Sequence, residues 1–388
     1  MRADNRVFQQ LWRVGVLAAV IGVTIYGLNF YREQEEIISV NAERANAGAK
    51  HVLVTGGAGY IGSHATLKLL EDGHSVTIVD NLSRGNMGAV EVLRALAPRK
   101  RLRFVKADLG VRDQVEKVFA QSNFDYVIHF AAIAFVGEST KLPLMYYSNI
   151  TVNTVILLEA MKKHQVNNLI YSSTCATYGN PDVLPITEET PAIPINPYGK
   201  AKLAAEVAVR DYANSNPDFK AVIFRYFNVY GADIQGRLGE YPPPALVGEG
   251  RISTACFAAA LGVIPRLTIM GTQHPTPDGS CVRDYIHVAD LVDAHITGTK
   301  AFANPPALFN IGTGVGISVK EFTNACLKVT GKEIEVFEQA EARPGDYAAV
   351  YADPSKINRE LNWTAKYTDV EEALGHAWAW RSKHPYGY

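Results

Sequence analysis

The sequence predicts a doubly wound α/β fold, a parallel sheet with helices on both faces. Three observations point to it: short apolar runs alternate with amphipathic stretches from residue 51 onward, those runs are apolar on both sides, and the first ends in a glycine-rich turn. A strand that is apolar on both faces must be covered on both, and right-handed crossovers place helices there. The predicted strands are 51–55, 75–80, 102–106, 125–130, 168–172 and 220–226, with helices between them. After residue 228 the alternation loosens into Gly- and Pro-rich stretches such as 236–250. A smaller mixed domain at 228–388 is therefore expected, interleaved with a first domain at 51–227. No solenoid repeat or low-complexity tract is visible.

With 388 residues, 47% hydrophobic and 20% charged, the chain has ample material for a large core. A formal net charge of -1 leaves no excess positive field for nucleic acid or an anionic surface, so any phosphate must be held locally. The cysteines at 175, 256, 281 and 326 form no CxxC pair and join no histidine cluster at ligand spacing. They read as structural thiols, with neither a metal site nor a disulfide framework.

The first fifty residues stand apart. Residues 14–30 are apolar apart from Thr24 and Asn29, long enough to cross a thin bilayer as a helix. Arg2, Arg6 and Arg13 precede the run and Glu33, Glu35 and Glu36 follow it, which places the N-terminus in the cytosol. The reading is a type II single-pass anchor with a cytosolic tail at 1–13 and a stem at 31–50. The short span suits a thin early-secretory membrane such as the Golgi, with the body in the lumen. Two alternatives fit less well: a cleaved signal peptide would need Ala45-Asn46-Ala47 closer to the apolar core, and a transit peptide would be Ser-rich and acid-poor.

The first strand runs into Gly56-Gly57-Ala58-Gly59-Tyr60-Ile61-Gly62 and then an amphipathic stretch. Glycines in this pattern at a strand-to-helix junction suit a dinucleotide: Gly56 for the turn, Gly59 for close approach of a pyrophosphate to the helix N-terminus, Gly62 for helix packing. Asp80 closes the second strand 21 residues after Gly59, where a carboxylate accepts from ribose hydroxyls and repels a 2′-phosphate. NAD is thus favoured over NADP. Arg84 follows in a loop and reads as a solvated charge. Asp108-Leu109 suit an adenine contact and Phe130-Ala131-Ala132 a small-residue floor; a helix cap and a packed strand end fit the same residues equally well.

Asn196-Pro197-Tyr198-Gly199-Lys200-Ala201-Lys202 contains Tyr-x-x-x-Lys, which on a helix puts Tyr198 and Lys202 on one face. Upstream, strand 168–172 ends in Ser173-Thr174, a hydroxyl at the carboxyl edge of the sheet, where such folds bind ligands. Together they suit a carbinol oxidation in which Tyr198 takes the hydroxyl proton, Thr174 holds the reacting oxygen, and Lys202 with an oxidised nicotinamide favours the phenolate.

Residues 55–64, Val136-Gly137-Glu138-Ser139, Arg225-Tyr226-Phe227-Asn228, 282–288 and Arg343-Pro344-Gly345-Asp346 resemble the signatures of the UDP-sugar 4-epimerases, over 51–388. The wording of 172–179 and 196–202, joined to an N-terminal anchor, is most similar to the plant Golgi UDP-arabinose (UDP-xylose) 4-epimerases. The resemblance implies a Rossmann-type fold, bound NAD, and C4 epimerisation of a UDP-sugar through a 4-keto sugar, with UDP-xylose and UDP-L-arabinose as the pair. UDP-glucose and UDP-galactose, or both activities, are the alternative. It also implies that Tyr60, Ile61, Asn81, Asn149 and Tyr226 join the cofactor contacts, that Asn228, Arg343 and Asp346 grip the nucleotide sugar, and that the protein is a homodimer. A domain-closing ion pair is the competing reading of Arg343 and Asp346.

This sequence departs from the hexose epimerases in three places. Thr174 stands for their Ser, Ala134 for a lysine beside the nicotinamide, and 251–253 lacks the asparagine expected at uracil. A dehydratase or decarboxylase of the same fold needs an acid beside the catalytic Thr, which Cys175-Ala176 does not provide. A non-enzymatic nucleotide-binding scaffold has no use for a positioned base.

Overall fold

The computed structural model describes residues 48–98, 100–247, 250–303 and 307–388. The expected tail, the anchor at 14–30 and nearly all of the stem lie outside the described residues. Among the described residues no helix is long and apolar enough to cross a membrane.

Residues 51–388 form one compact unit around a seven-stranded sheet, all neighbours parallel. Six strands fall where the apolar runs predict: β1 His51–Thr55, β2 Ser75–Asp80, β3 Leu102–Lys106, β4 Tyr126–His129, β5 Asn168–Thr174 and β6 Lys220–Tyr226. A seventh, β7 Ala307–Ile311, comes from the C-terminal part and pairs with β6, so the two parts of the chain interleave in the sheet. The order β7-β6-β5-β4-β1-β2-β3 reverses direction at β1 and β4, the switch point that opens a crevice at the carboxyl ends.

The central strands are buried on both faces, as wholly apolar runs require. Leu53 and Val127 pack into one cluster with the helices on one side, while Val52, Val54 and Ile128 pack into a second cluster on the other. A third cluster, with Phe322, Leu374 and Trp380, holds the C-terminal part together. The strand expected at 168–172 runs two residues further, so Ser173 and Thr174 lie in the ladder, with Thr174 opposite Tyr226. That register puts a hydroxyl and a phenol side by side at the mouth of the crevice. All four cysteines are free and buried.

Candidate active site

A single cavity of about 600 Å³ runs from the turn after β1 to the C-terminal part. Its near end is the glycine turn. Gly56 has a φ of +71°, and a Cβ there would lie 2.7 Å from the Ala131 nitrogen. A Cβ on Gly62 would lie 2.2 Å from the Gly56 carbonyl oxygen. The helix Tyr60–Glu71 therefore sits on the turn only because both positions lack side chains. Its N-cap, Gly59, supplies no side-chain cap, which leaves first-turn N–H groups at Tyr60 and Ile61 for an anion. Such a cradle fits a dinucleotide pyrophosphate.

Asp80 ends β2 beside the cradle, where its carboxylate accepts from the Ala58 N–H at 3.1 Å and the Leu82 N–H at 2.8 Å. Burial raises its pKa, and those two N–H groups pull it back. Asn81 donates to Asp108 Oδ2 at 2.9 Å, so two expected contacts are tied to each other. Asp108 also accepts from the Gly110 N–H; it shapes a turn and does not cap the following helix, whose N-cap is Val111. Leu109, Phe130 and Ala131 line the same stretch of wall. Asn149, in a wide π-helical turn at Tyr147–Val152, accepts from the Ile133 N–H at 2.9 Å. Arg84 is not the solvated charge expected: one of its nitrogens donates to both oxygens of Glu138, at 2.7 and 2.9 Å. That engagement turns it away from the role of a 2′-phosphate partner.

The far wall carries the hydroxyl, phenol and amine. Asn196 caps the helix Pro197–Ser215 by accepting from the Gly199 N–H at 2.8 Å, and Pro197 fixes its first turn. A Cβ on Gly199 would lie 2.4 Å from the Ala176 oxygen, so only glycine lets the helix rest on the turn after β5. That contact brings Tyr198 into hydrogen-bonding reach of Thr174. The Thr174 oxygen accepts from the Ala176 N–H at 3.1 Å, which fixes the hydroxyl at the end of β5. Lys202, fully buried, donates to the Ser172 carbonyl at 2.7 Å.

Charge at this wall differs from the sequence-based expectation. Burial pushes the Tyr198 phenol well above its ordinary value, and Tyr226 adds to the rise; the Thr174 hydrogen bond and the Arg251 cation pull it down. Burial brings the Lys202 ammonium from 10.5 to about 7, partly offset by Glu206. A protein cation that lowers the Tyr198 pKa is thus Arg251. Arg251 pairs with Glu240 and stacks over Tyr60, 5.3 Å from the ring centroid. Sequence reasoning passed over it because it noted only the asparagine missing at 251–253.

At the other end, Asn228 lines the cavity and is fixed by its N–H to the Asp284 carbonyl. Arg343 donates to Asp346 at 3.0 Å, and Arg283, also lining the cavity, stands 3.8 Å from the same carboxylate. Two guanidinium groups thus flank one carboxylate at the rim, suited to a diphosphate. Arg283 was legible only as part of the 282–288 motif. Among the described residues no group of three or more His, Cys, Asp or Glu side chains could hold a metal.

A dinucleotide cradle facing a hydroxyl, a phenol and an amine across one cavity places the fold among the short-chain dehydrogenase/reductases. Residues 53–374 match the family described as GDP-mannose 4,6 dehydratase. A rice protein named probable UDP-arabinose 4-epimerase 3 is 59% identical over 347 residues, 89% of this chain and 85% of that one. Arabidopsis thaliana UDP-glucose 4-epimerase 2 is 44% identical, covering 88% and 97%. The crystal structure of UDP-glucose 4-epimerase from Bifidobacterium longum, in complex with NAD+ and UDP, superposes with a TM-score of 0.83 at 39% identity, over 87% of this chain and all of that one. Within that broad dehydratase-type family, the chain belongs to the UDP-sugar 4-epimerases.

Proposed function

We propose that this protein is an NAD-dependent UDP-sugar 4-epimerase that interconverts UDP-xylose and UDP-L-arabinose through a transient 4-keto sugar. The observation that carries the reading is the meeting of Thr174 and Tyr198, with Lys202 one turn along the helix, in the wall of the cavity that begins at the glycine cradle. Identity of 59% to a relative named for the pentose, against 44% to one named for the hexose, supports the pentose pair. Cys175-Ala176 after Thr174 supplies no acid for a dehydratase.

When bound, NAD supplies a reversible hydride acceptor for sugar C4. Tyr198 takes the C4 hydroxyl proton and later returns it, while Thr174 holds the reacting oxygen. Lys202 and Arg251 stabilise the phenolate by charge. Inversion at C4 needs the sugar to present its other face while the nucleotide stays held. The grip therefore belongs at the far end, to Asn228, Arg343 and Asp346, with Arg283 beside them.

Three finer statements go with this reading. Residues 14–30 anchor the protein in a Golgi membrane in type II orientation, supported by an apolar run broken only by Thr24 and Asn29 and by the basic residues before it. The body pairs as a homodimer, supported by apolar side chains left exposed on neighbouring helices at Val152, Val155 and Val207. No nucleic acid takes part.

The test incubates residues 51–388 with UDP-xylose and with UDP-glucose and resolves the products. Conversion of UDP-xylose to UDP-L-arabinose is expected, and conversion of the hexose alone would overturn the substrate assignment.

A further inference from the structure

The loop after β2 and the loop after β4 flank the glycine turn after β1, because β1 lies between those two strands in the sheet. Arg84 belongs to the first loop and Glu138 to the short helix Val136–Lys141 that follows the second, and the cavity is lined from these two sides by Arg84, Gly85, Phe135 and Val136. The Arg84–Glu138 ion pair, at 2.7 and 2.9 Å, therefore ties together the segments on either side of the glycine turn. Both ends are braced. The Arg84 guanidinium stands over the Phe135 ring, 5.6 Å from its centroid. The Tyr146 hydroxyl donates to Glu138 Oε2 at 2.8 Å and accepts from the Phe135 N–H at 3.1 Å. Tyr146 in turn meets the Tyr198 ring edge-on, with centroids 6.3 Å apart. A chain of contacts thus runs from the adenosine-side loop to the proposed base.

We propose that Arg84 and Glu138 form a clasp across the bound dinucleotide that must part before the cofactor enters or leaves. The proposal rests on the NAD reading above. A cofactor restored in every turnover needs no exchange between turnovers, so a clasp slows its loss without hindering the reaction. Because the two side chains are only 28% and 21% exposed, yet reached by solvent, the pair is weakened by salt and can open.

The test measures NAD release from the loaded protein, by exchange against labelled NAD, in wild type, Arg84→Met, Glu138→Gln and the reversed pair Arg84→Glu with Glu138→Arg. Release from each single variant is expected to be about fivefold faster, the scale of a partly exposed ion pair. Release from wild type should quicken as ionic strength rises, and release from the single variants should not. The reversed pair is expected to recover slow release. Single variants that melt at a lower temperature but release NAD at the wild-type rate would reduce the pair to a structural contact and overturn the clasp. So would a reversed pair that releases as fast as the single variants. A wild-type protein that takes up no NAD would overturn the cofactor reading itself, and the clasp with it.

Discussion

Lys202→Met is expected to abolish turnover and yet stabilise the NAD-free protein near neutral pH. The amine is buried, and its pKa falls from 10.5 to about 7 because burial penalises the charged form more than Glu206 repays. Each pH unit of that fall is worth ~1.4 kcal/mol, so below pH 7 the desolvated ammonium costs the fold on the order of 5 kcal/mol. Removing the side chain relieves this cost but leaves the Ser172 carbonyl without its 2.7 Å donor, a loss of about 1–3 kcal/mol. The net gain should be about 2–4 kcal/mol. Its pH dependence is the sharper signature. Between about pH 7 and 10.5 the unfolded chain holds a proton on this lysine that the folded protein lacks, so wild-type stability rises with pH across that window. The variant lacks this contribution, and its advantage should shrink as pH climbs. Urea unfolding of both proteins at pH 7, 8.5 and 10, without cofactor, measures it. A difference that stays constant over the three pH values would show that Lys202 is not desolvated as described, and the reasoning would fail.

Two further outcomes follow from the same geometry. Tyr198→Phe should retain NAD and lose at least ~100-fold in kcat, as removal of a proton acceptor does; undiminished turnover would rule out Tyr198 as the base. Gly62→Ala places a Cβ 2.2 Å from the Gly56 oxygen, so backbone must shift. Melting and NAD titration should show about 1–3 kcal/mol of destabilisation with weakened cofactor binding.

Much of the fold was legible because burial on both faces leaves a simple mark. Strands β1, β2, β3 and β6 begin and end where their apolar runs do, since a buried parallel strand needs little beyond apolar residues bounded by turns. The cradle was legible for a similar reason: Gly56 and Gly62 answer a local demand for absent side chains, and local demands are written in local sequence. β7 was not legible as part of the sheet, because only its pairing with β6, some eighty residues upstream, gives it that place. Nor did spacing reveal that Arg84 meets Glu138 or that Arg251 acts on Tyr198, since those meetings depend on how separate loops close over the crevice.

The sequence by itself determined the parallel α/β class, the glycine cradle and the helical pairing of Tyr198 with Lys202, since each depends on residues close along the chain. Tertiary structure alone decided which charges those side chains feel. Burial raised the phenol and lowered the ammonium, and desolvation depends on what packs around a group, which no linear spacing records.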